Sequence, residues 1–431
     1  MSRSSSRERL EQALARIDDP AGEGTRACLT VYPDAAKAEA DAADARAKLG
    51  ISLGPLDGAI VTVKDLFDIK GEPTRAGSKT LADSAPAERD AVAVQRLRAA
   101  GAVIVAKTNM TEFAFSGVGA NPHYGTPGNP ADRARVPGGS SSGAAVAAAD
   151  GMCEIAIGTD TGGSTRIPAA LCGVVGFKPS KQRIPTDGAY PLSYTLDSIG
   201  PIARTVEDCA KADAVMAGEA WRSLEAADLS GLRLAVPQSP RFLPREQAVE
   251  SALEAGLAAL AKAGAQLREV PFPFLEEMVA ANPRGGFPVP EAFSIHRERL
   301  ATRGHEVDPN VRDRILTGDK ILAADYIALV QIRNRLVRAV DDWIRQFDAL
   351  VLPTTPIVAP RLADIGTPET YIPANTALLS ITSIGNFLDL CGISLPLPTN
   401  GLPVGMMLMG RNGSDRRLLE IAAGIERILR S

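Results

Sequence analysis

Two short runs rich in β-branched residues, AIVTV (residues 59–63) and AVIVA (residues 102–106), enclose AVAVQRLRAAG, whose apolar positions recur at helical spacing and which ends on Gly101. Strand, helix and strand in that order form the rhythm of an α/β layer. Ahead of it, RERLEQALARI and DAAKAEADAADARAKLG read as helices with polar faces, the second ending on Gly50. Residues 116–145 hold too much Gly, Pro, Asn and Ser for regular structure, and the small-residue run AAVAAADG after them reads as a tightly packed helix. CEIAIG (residues 153–158) reads as a strand, LRLAVP as another, and EQAVESALEAGLAALAKAG as a helix. AADYIALVQIRNRLVRAVDDWIRQF reads as a long helix, with Ile327, Val330, Val337, Val340, Ile344 and Phe347 expected on one face. ALVLPTTP and LPVGMMLMG resemble buried strands, and DRRLLEIAAGIERILR closes the chain as a helix. No internal repeat and no low-complexity linker divides the chain, so one large α/β domain with a variable middle section is expected.

Composition narrows the chemistry. With 431 residues, 45% hydrophobic and 23% charged, the chain has material for a substantial core. Its 47 Lys and Arg against 51 Asp and Glu give a net charge of −4, which offers no bulk attraction to nucleic acid or anionic lipid. Five cysteines, widely spaced and without a CxxC pair, argue against a disulfide framework and a structural zinc site. The N-terminal stretch MSRSSSRERLEQALARIDDP lacks the apolar run of a signal peptide, and no segment offers about 18 uninterrupted apolar residues. A cytoplasmic location follows as an expectation. Only His123, His296 and His305 are available to any mechanism that needs an imidazole base.

Two glycine-serine loops stand out. In the first, Gly138 to Gly143, the spacing fits a phosphate loop, but Ala144 and Ala145 stand where Lys and Ser/Thr are required. The same loop satisfies GxSxG with Ser141 as nucleophile and His296 or His305 as base, although the preceding RARVP is no strand. In the second, Thr159-Asp160-Thr161-Gly162-Gly163-Ser164, a serine follows a glycine pair where backbone N–H groups converge into a nest suited to an oxyanion. Ser164 is placed to attack. With imidazole scarce, its base is sought in a lysine kept neutral by burial, and Lys64 and Lys107 both stand at the ends of apolar strands. Composition and period do not choose between them.

GPLDGAIVTVKDLFD, AKTNMTEF, NPHYGTPGNP, VPGGSSSGAAVAAADG and GTDTGGSTRIPAALCGVVGFKPS, in this order and spacing, resemble the amidase signature family of serine hydrolases. The resemblance is dense from about residue 54 to residue 209 and thinner over LVLPTTP and GLPVGMMLMG. It implies a single α/β domain with a mixed central sheet covered by helices on both faces. Within it, residues 1–53 would be N-terminal helices, 54–215 the signature core, 230–345 a variable substrate-facing section, and 346–431 the closing strands and helix. It also implies a Ser-cisSer-Lys triad: Lys64 from the VKD motif, Ser140 after a cis peptide, and Ser164 as nucleophile. The implied oxyanion donors are the backbone N–H groups of Thr161, Gly162, Gly163 and Ser164. Ser116 and Gly117, on the loop with Phe115, would line the substrate site, and Ser141 becomes a supporting hydroxyl there. Two departures from the family pattern, Ser142 and Thr165, touch no triad position.

The implied reaction is hydrolysis of a small carboxamide through an acyl-enzyme, with no cofactor and no metal. The same resemblance covers the amidase component of a glutamine-dependent tRNA amidotransferase, the one case in which nucleic acid enters, and hydrolases of carbamates or of ureas such as biuret and allophanate. No membrane partner is expected, and homodimer formation stays open. Phe287, Phe293, His296, Arg297, Tyr326 and Arg333, from the divergent residues 272–346, are candidate pocket liners, with core or solvent-facing roles as the alternative. His123 is expected to support its loop. Arg166 is read either as a ligand for a substrate carboxylate or as the ion-pair partner of Asp160.

Overall fold

A computed structural model describes residues 4–242, 245–283 and 285–430. The first three residues of the N-terminal stretch, and residues 243, 244 and 284 of the variable section, lie outside it. Eleven strands among the described residues form one sheet: β1 (Cys28–Val31), β2 (Ile60–Lys64), β3 (Val103–Thr108), β4 (Ile155–Asp160), β5 (Val175–Lys178), β6 (Ser198–Ala203), β7 (Arg233–Gln238), β8 (Gln266–Pro271), β9 (Ala349–Pro353), β10 (Cys391–Pro396) and β11 (Gly405–Gly410). Their spatial order is β1-β3-β2-β4-β6-β5-β10-β11-β9-β7-β8. The pairs β2 with β3, β2 with β4, β7 with β8 and β7 with β9 are parallel and the others antiparallel, so the sheet is mixed, as the family resemblance implies.

Alternation along the strands divides the core. Val61, Val63, Ile104, Ile155 and Ile157 pack into one apolar cluster, and Ile60, Val103, Val105 and Ala156 into another on the opposite face. Helix Ser142–Ala149 covers the second face. Its alanines Ala144, Ala145, Ala147 and Ala148 are wholly buried, which lets its backbone lie close to the sheet. Strands covered on both faces read as continuous apolar runs, which explains why β2, β3 and β4 were visible in the sequence.

The expected stripe on the long helix is corrected. Helix Ala323–Ile344 buries Leu329, Leu336, Val340 and Ile344, whereas Ile327 is 56% exposed and Val330 and Val337 are only partly buried. The core touches this helix along the line of Leu329 and Leu336, and Ala323, Ala324, Asp325, Ile327 and Ala328 of its first turns are exposed.

Candidate active site

The site is assembled where β2 and β4 end. Lys64 is the last residue of β2 and is wholly buried. Its Nζ lies 2.7 Å from Ser140 Oγ and 2.9 Å from Thr159 Oγ1, and no carboxylate among the described residues pairs with it. Burial pushes the lysine down from 10.5 to about 7, against the upward pull of Asp197 and Asp160. An amine lowered this far has a substantial neutral fraction near pH 7 and can accept a proton.

Ser140 follows a cis peptide from Gly139. A side chain at Gly139 would strike the backbone of Gly119, at 2.6 Å, so the approach requires glycine. The loop is pinned by Gly139 N–H to Gly117 O (2.8 Å) and Thr111 N–H to Ser140 O (3.0 Å). It is tied to the second loop by Ser141 N–H to Ser164 O at 3.3 Å. No hydrogen bond joins the hydroxyls of Ser140 and Ser164.

Ser164 sits between β4 and helix Arg166–Cys172, on a loop organised by one carboxylate. Asp160 accepts from Gly163 N–H (2.9 Å), Thr165 N–H (3.1 Å), Thr165 Oγ1 (2.9 Å) and Asn386 Nδ2 (2.8 Å). Arg166 forks onto it through Nε (3.0 Å) and Nη2 (2.8 Å). Although burial alone would raise it, the Arg166 guanidinium holds the Asp160 carboxyl well below the usual carboxylate range. Arg166 is 0% exposed, and its remaining donors go to Thr382 O, Met407 Sδ and Asn386 Oδ1. Of its two readings, pairing with Asp160 is the one observed. Thr165, a departure from the family pattern, therefore helps hold the loop.

The expected oxyanion donors separate. Gly163 gives its N–H to Asp160, which removes it from the nest; the N–H groups of Thr161, Gly162 and Ser164 have no partner among the described residues. Gly163 has φ of +134°, and a Cβ there would meet Thr382 Oγ1 at 2.2 Å.

Thr161 and Gly162 line a cavity of about 810 Å³ together with Phe115, Leu275, Phe287, Tyr371 and Phe387. The substrate-site expectation is corrected at three positions. Ser116 is buried beneath the wall, donating to Asn375 Oδ1 (3.0 Å) and accepting from Tyr371 Oη (2.6 Å). Gly117 donates to the same Asn375 oxygen at 2.8 Å. Ser141 is wholly buried and donates to Thr159 O at 3.3 Å, so its hydroxyl supports β4 and does not face the cavity. Phe115 takes the lining role on that loop.

Among the candidate liners from the variable section, Phe287 faces the cavity and the others do not. Phe293 packs against the core, Arg297 is exposed, Tyr326 donates to Glu291 at 2.6 Å, and Arg333 lies 3.7 Å from Asp389. His296 is buried against Phe113, with ring centroids 4.0 Å apart, and burial together with Arg299 lowers it to about 3. His123 Nε2 lies 2.9 Å from Glu112 Oε2, which holds its loop, and His305 is exposed. None of the three histidines lines the cavity. No three His, Cys, Asp or Glu among the described residues gather in a group that could hold a metal ion.

A family model described as Amidase matches residues 8–419. The chain belongs to the amidase family. It is accordingly a hydrolase of carbon–nitrogen bonds. It is 39% identical over 401 residues to the 2-amino-5-chloromuconic acid deaminase of Comamonas testosteroni, covering 91% of this chain and 86% of that one. It is 37% identical over 460 residues to a glutamyl-tRNA(Gln) amidotransferase subunit of Chloroflexus aurantiacus, covering 98% and 93%. A solved structure described as an amidase superposes with a TM-score of 0.87 at 36% identity, covering 99% of this chain and 96% of that one. No helix among the described residues is long and apolar enough to cross a membrane.

Proposed function

We propose that this amidase cleaves the C–N bond of a small-molecule carboxamide by acyl transfer to Ser164. Neutral Lys64 takes the proton of Ser140 Oγ, and Ser140 takes that of Ser164, whose hydroxyl turns towards it as substrate binds. The Ser164 oxygen attacks the amide carbon, and the N–H groups of Thr161, Gly162 and Ser164 stabilise the oxyanion. Collapse breaks the C–N bond while Ser140 returns a proton to the leaving nitrogen. Ammonia or an amine departs. Water then enters by the same relay, the acyl bond breaks, and a carboxylic acid leaves with Ser164 restored.

One observation carries this reading: a wholly buried lysine, lowered to about 7, lies 2.7 Å from the Ser140 hydroxyl with no carboxylate against it. The name of the Comamonas testosteroni relative, a deaminase, supports ammonia as the leaving group. A fluorophosphonate probe is expected to label Ser164 and to leave the Ser164→Ala protein unlabelled. Substantial amide turnover by Ser164→Ala would overturn the mechanism.

A second reading, delivery of ammonia from glutamine within an amidotransferase, is favoured by the 37% identity to a component of such an enzyme over 98% of the chain. Assaying the purified chain on simple amides and on glutamine, with and without the other amidotransferase components, separates the two. Carbamates and ureas are open to the same relay. The five cysteines, unpaired and buried, support a reducing compartment, and we propose the cytoplasm.

A further inference from the structure

Among the described residues, three charged side chains line the cavity: Arg241, Asp313 and Arg314. Arg241 forks onto Glu276 with both bonds at 2.7 Å, and Asp313 is engaged by Arg312 at 2.7 Å. Arg314, on helix Pro309–Leu316, has no acidic partner among the described residues. Its guanidinium carbon stacks 4.2 Å from the centre of the Phe115 ring, and one Nη1–H donates to Phe115 O at 3.3 Å. Burial lowers it to about 10, so it stays charged at neutral pH. A cation on an apolar wall without a counter-ion is costly unless a ligand brings the opposite charge.

A second donor stands on the same wall. Asn375, on helix Pro368–Leu379, lines the cavity, and its Oδ1 accepts from both Ser116 Oγ and Gly117 N–H. Those two bonds fix the orientation of the amide and leave its NH2 as the free end. Arg314 and Asn375 therefore bracket residues 115–117 and present only N–H donors, a set that suits a carboxylate and not a cation. Thr161 and Gly162 bound the same cavity, so one ligand can reach this wall and the oxyanion donors together.

We propose that Arg314 and Asn375 bind a carboxylate of the substrate, so that the amide hydrolysed carries an acid group on an apolar body. The proposal rests on the amide-hydrolase reading and adds the class of substrate.

The test compares kcat/KM for paired amides that differ in the acid group: adipamate against hexanamide, and 4-carbamoylbenzoate against 4-methylbenzamide. The wild-type protein is expected to prefer the acid member of at least one pair by about 10–100-fold, as removal of a charge-assisted fork implies. Arg314→Met is expected to bring that ratio close to one, chiefly through KM. Arg314→Lys is expected to restore part of it, which separates recognition from folding. Binding of adipate to the wild-type protein, measured by calorimetry, supplies a readout that needs no turnover and should be lost in Arg314→Met. Hydrolysis of both pairs without an acid preference overturns the carboxylate site and leaves the hydrolase intact. Adipate binding that depends on Arg314, with no amide cleaved, sustains the site and overturns the hydrolase reading. Adipate binding equal in wild type and Arg314→Met overturns the site.

Discussion

Lys64 and Lys107 stand on neighbouring parallel strands and are both buried, yet they meet different surroundings. A shift in register between Val61 and Thr62 lets Val105 and Ala106 both pack on the face of helix Ser142–Ala149, which turns Lys107 to the other face beside Val63. There it meets Asp65, with Nζ 3.5 Å from Oδ1. Lys64, one residue further along β2, gives its hydrogen bonds to the hydroxyls of Ser140 and Thr159. Around Lys64, hydroxyls cut off from water do not offset the cost of burying a charge. What makes a buried lysine a base is the chemistry of its neighbours, and one bulge in a strand decides which neighbours it has.

That contrast is open to direct attack. Lys64→Met and Ser164→Ala are expected to lower kcat by about 10³–10⁴-fold, the range for loss of a base or nucleophile. Lys107→Met strips Asp65 of its ion partner and is expected to cost about 3–5 kcal/mol of stability, read as a lower denaturation midpoint. Its turnover per folded molecule should stay within about tenfold of wild type. Equal loss of turnover in the two lysine variants would erase the distinction.

The pH profile sharpens it. Because the neutral amine is the active form and Lys64 is lowered to about 7, kcat/KM should fall as pH drops below 7 and level off above it. The limiting slope should be about tenfold per unit. A profile still climbing at pH 10 would mean an unshifted lysine. The smallest effect is expected from Thr159→Val. It removes one acceptor from Nζ and should move the midpoint downward by no more than about one unit, with kcat reduced less than about tenfold.

Legibility in the sequence followed burial and local pattern. The β-branched runs that became β2, β3 and β4 were plain because both faces of those strands are covered. Strand β8, QLREVP, was missed: its charged residues reflect an edge position where every residue is exposed or half-exposed. The family pattern pointed to Lys64, Ser140 and Ser164, since each lies in a contiguous motif. It could not reveal that Gly163 gives its N–H to Asp160, because that bond depends on how the loop closes. Arg314 and Asn375 carry no sequence signal for a different reason. They stand on separate helices, 61 positions apart in sequence (375 − 314), each without a motif, and only the fold sets them on either side of residues 115–117.

The relay requires Lys64 to be a neutral base at working pH. Titrating its side chain by NMR, with isotopically labelled lysine and the Lys64→Met protein to assign the signal, measures this without substrate. A midpoint near 7 is the predicted result; a lysine that keeps its proton to about 10.4, the value of a free side chain, would contradict the account.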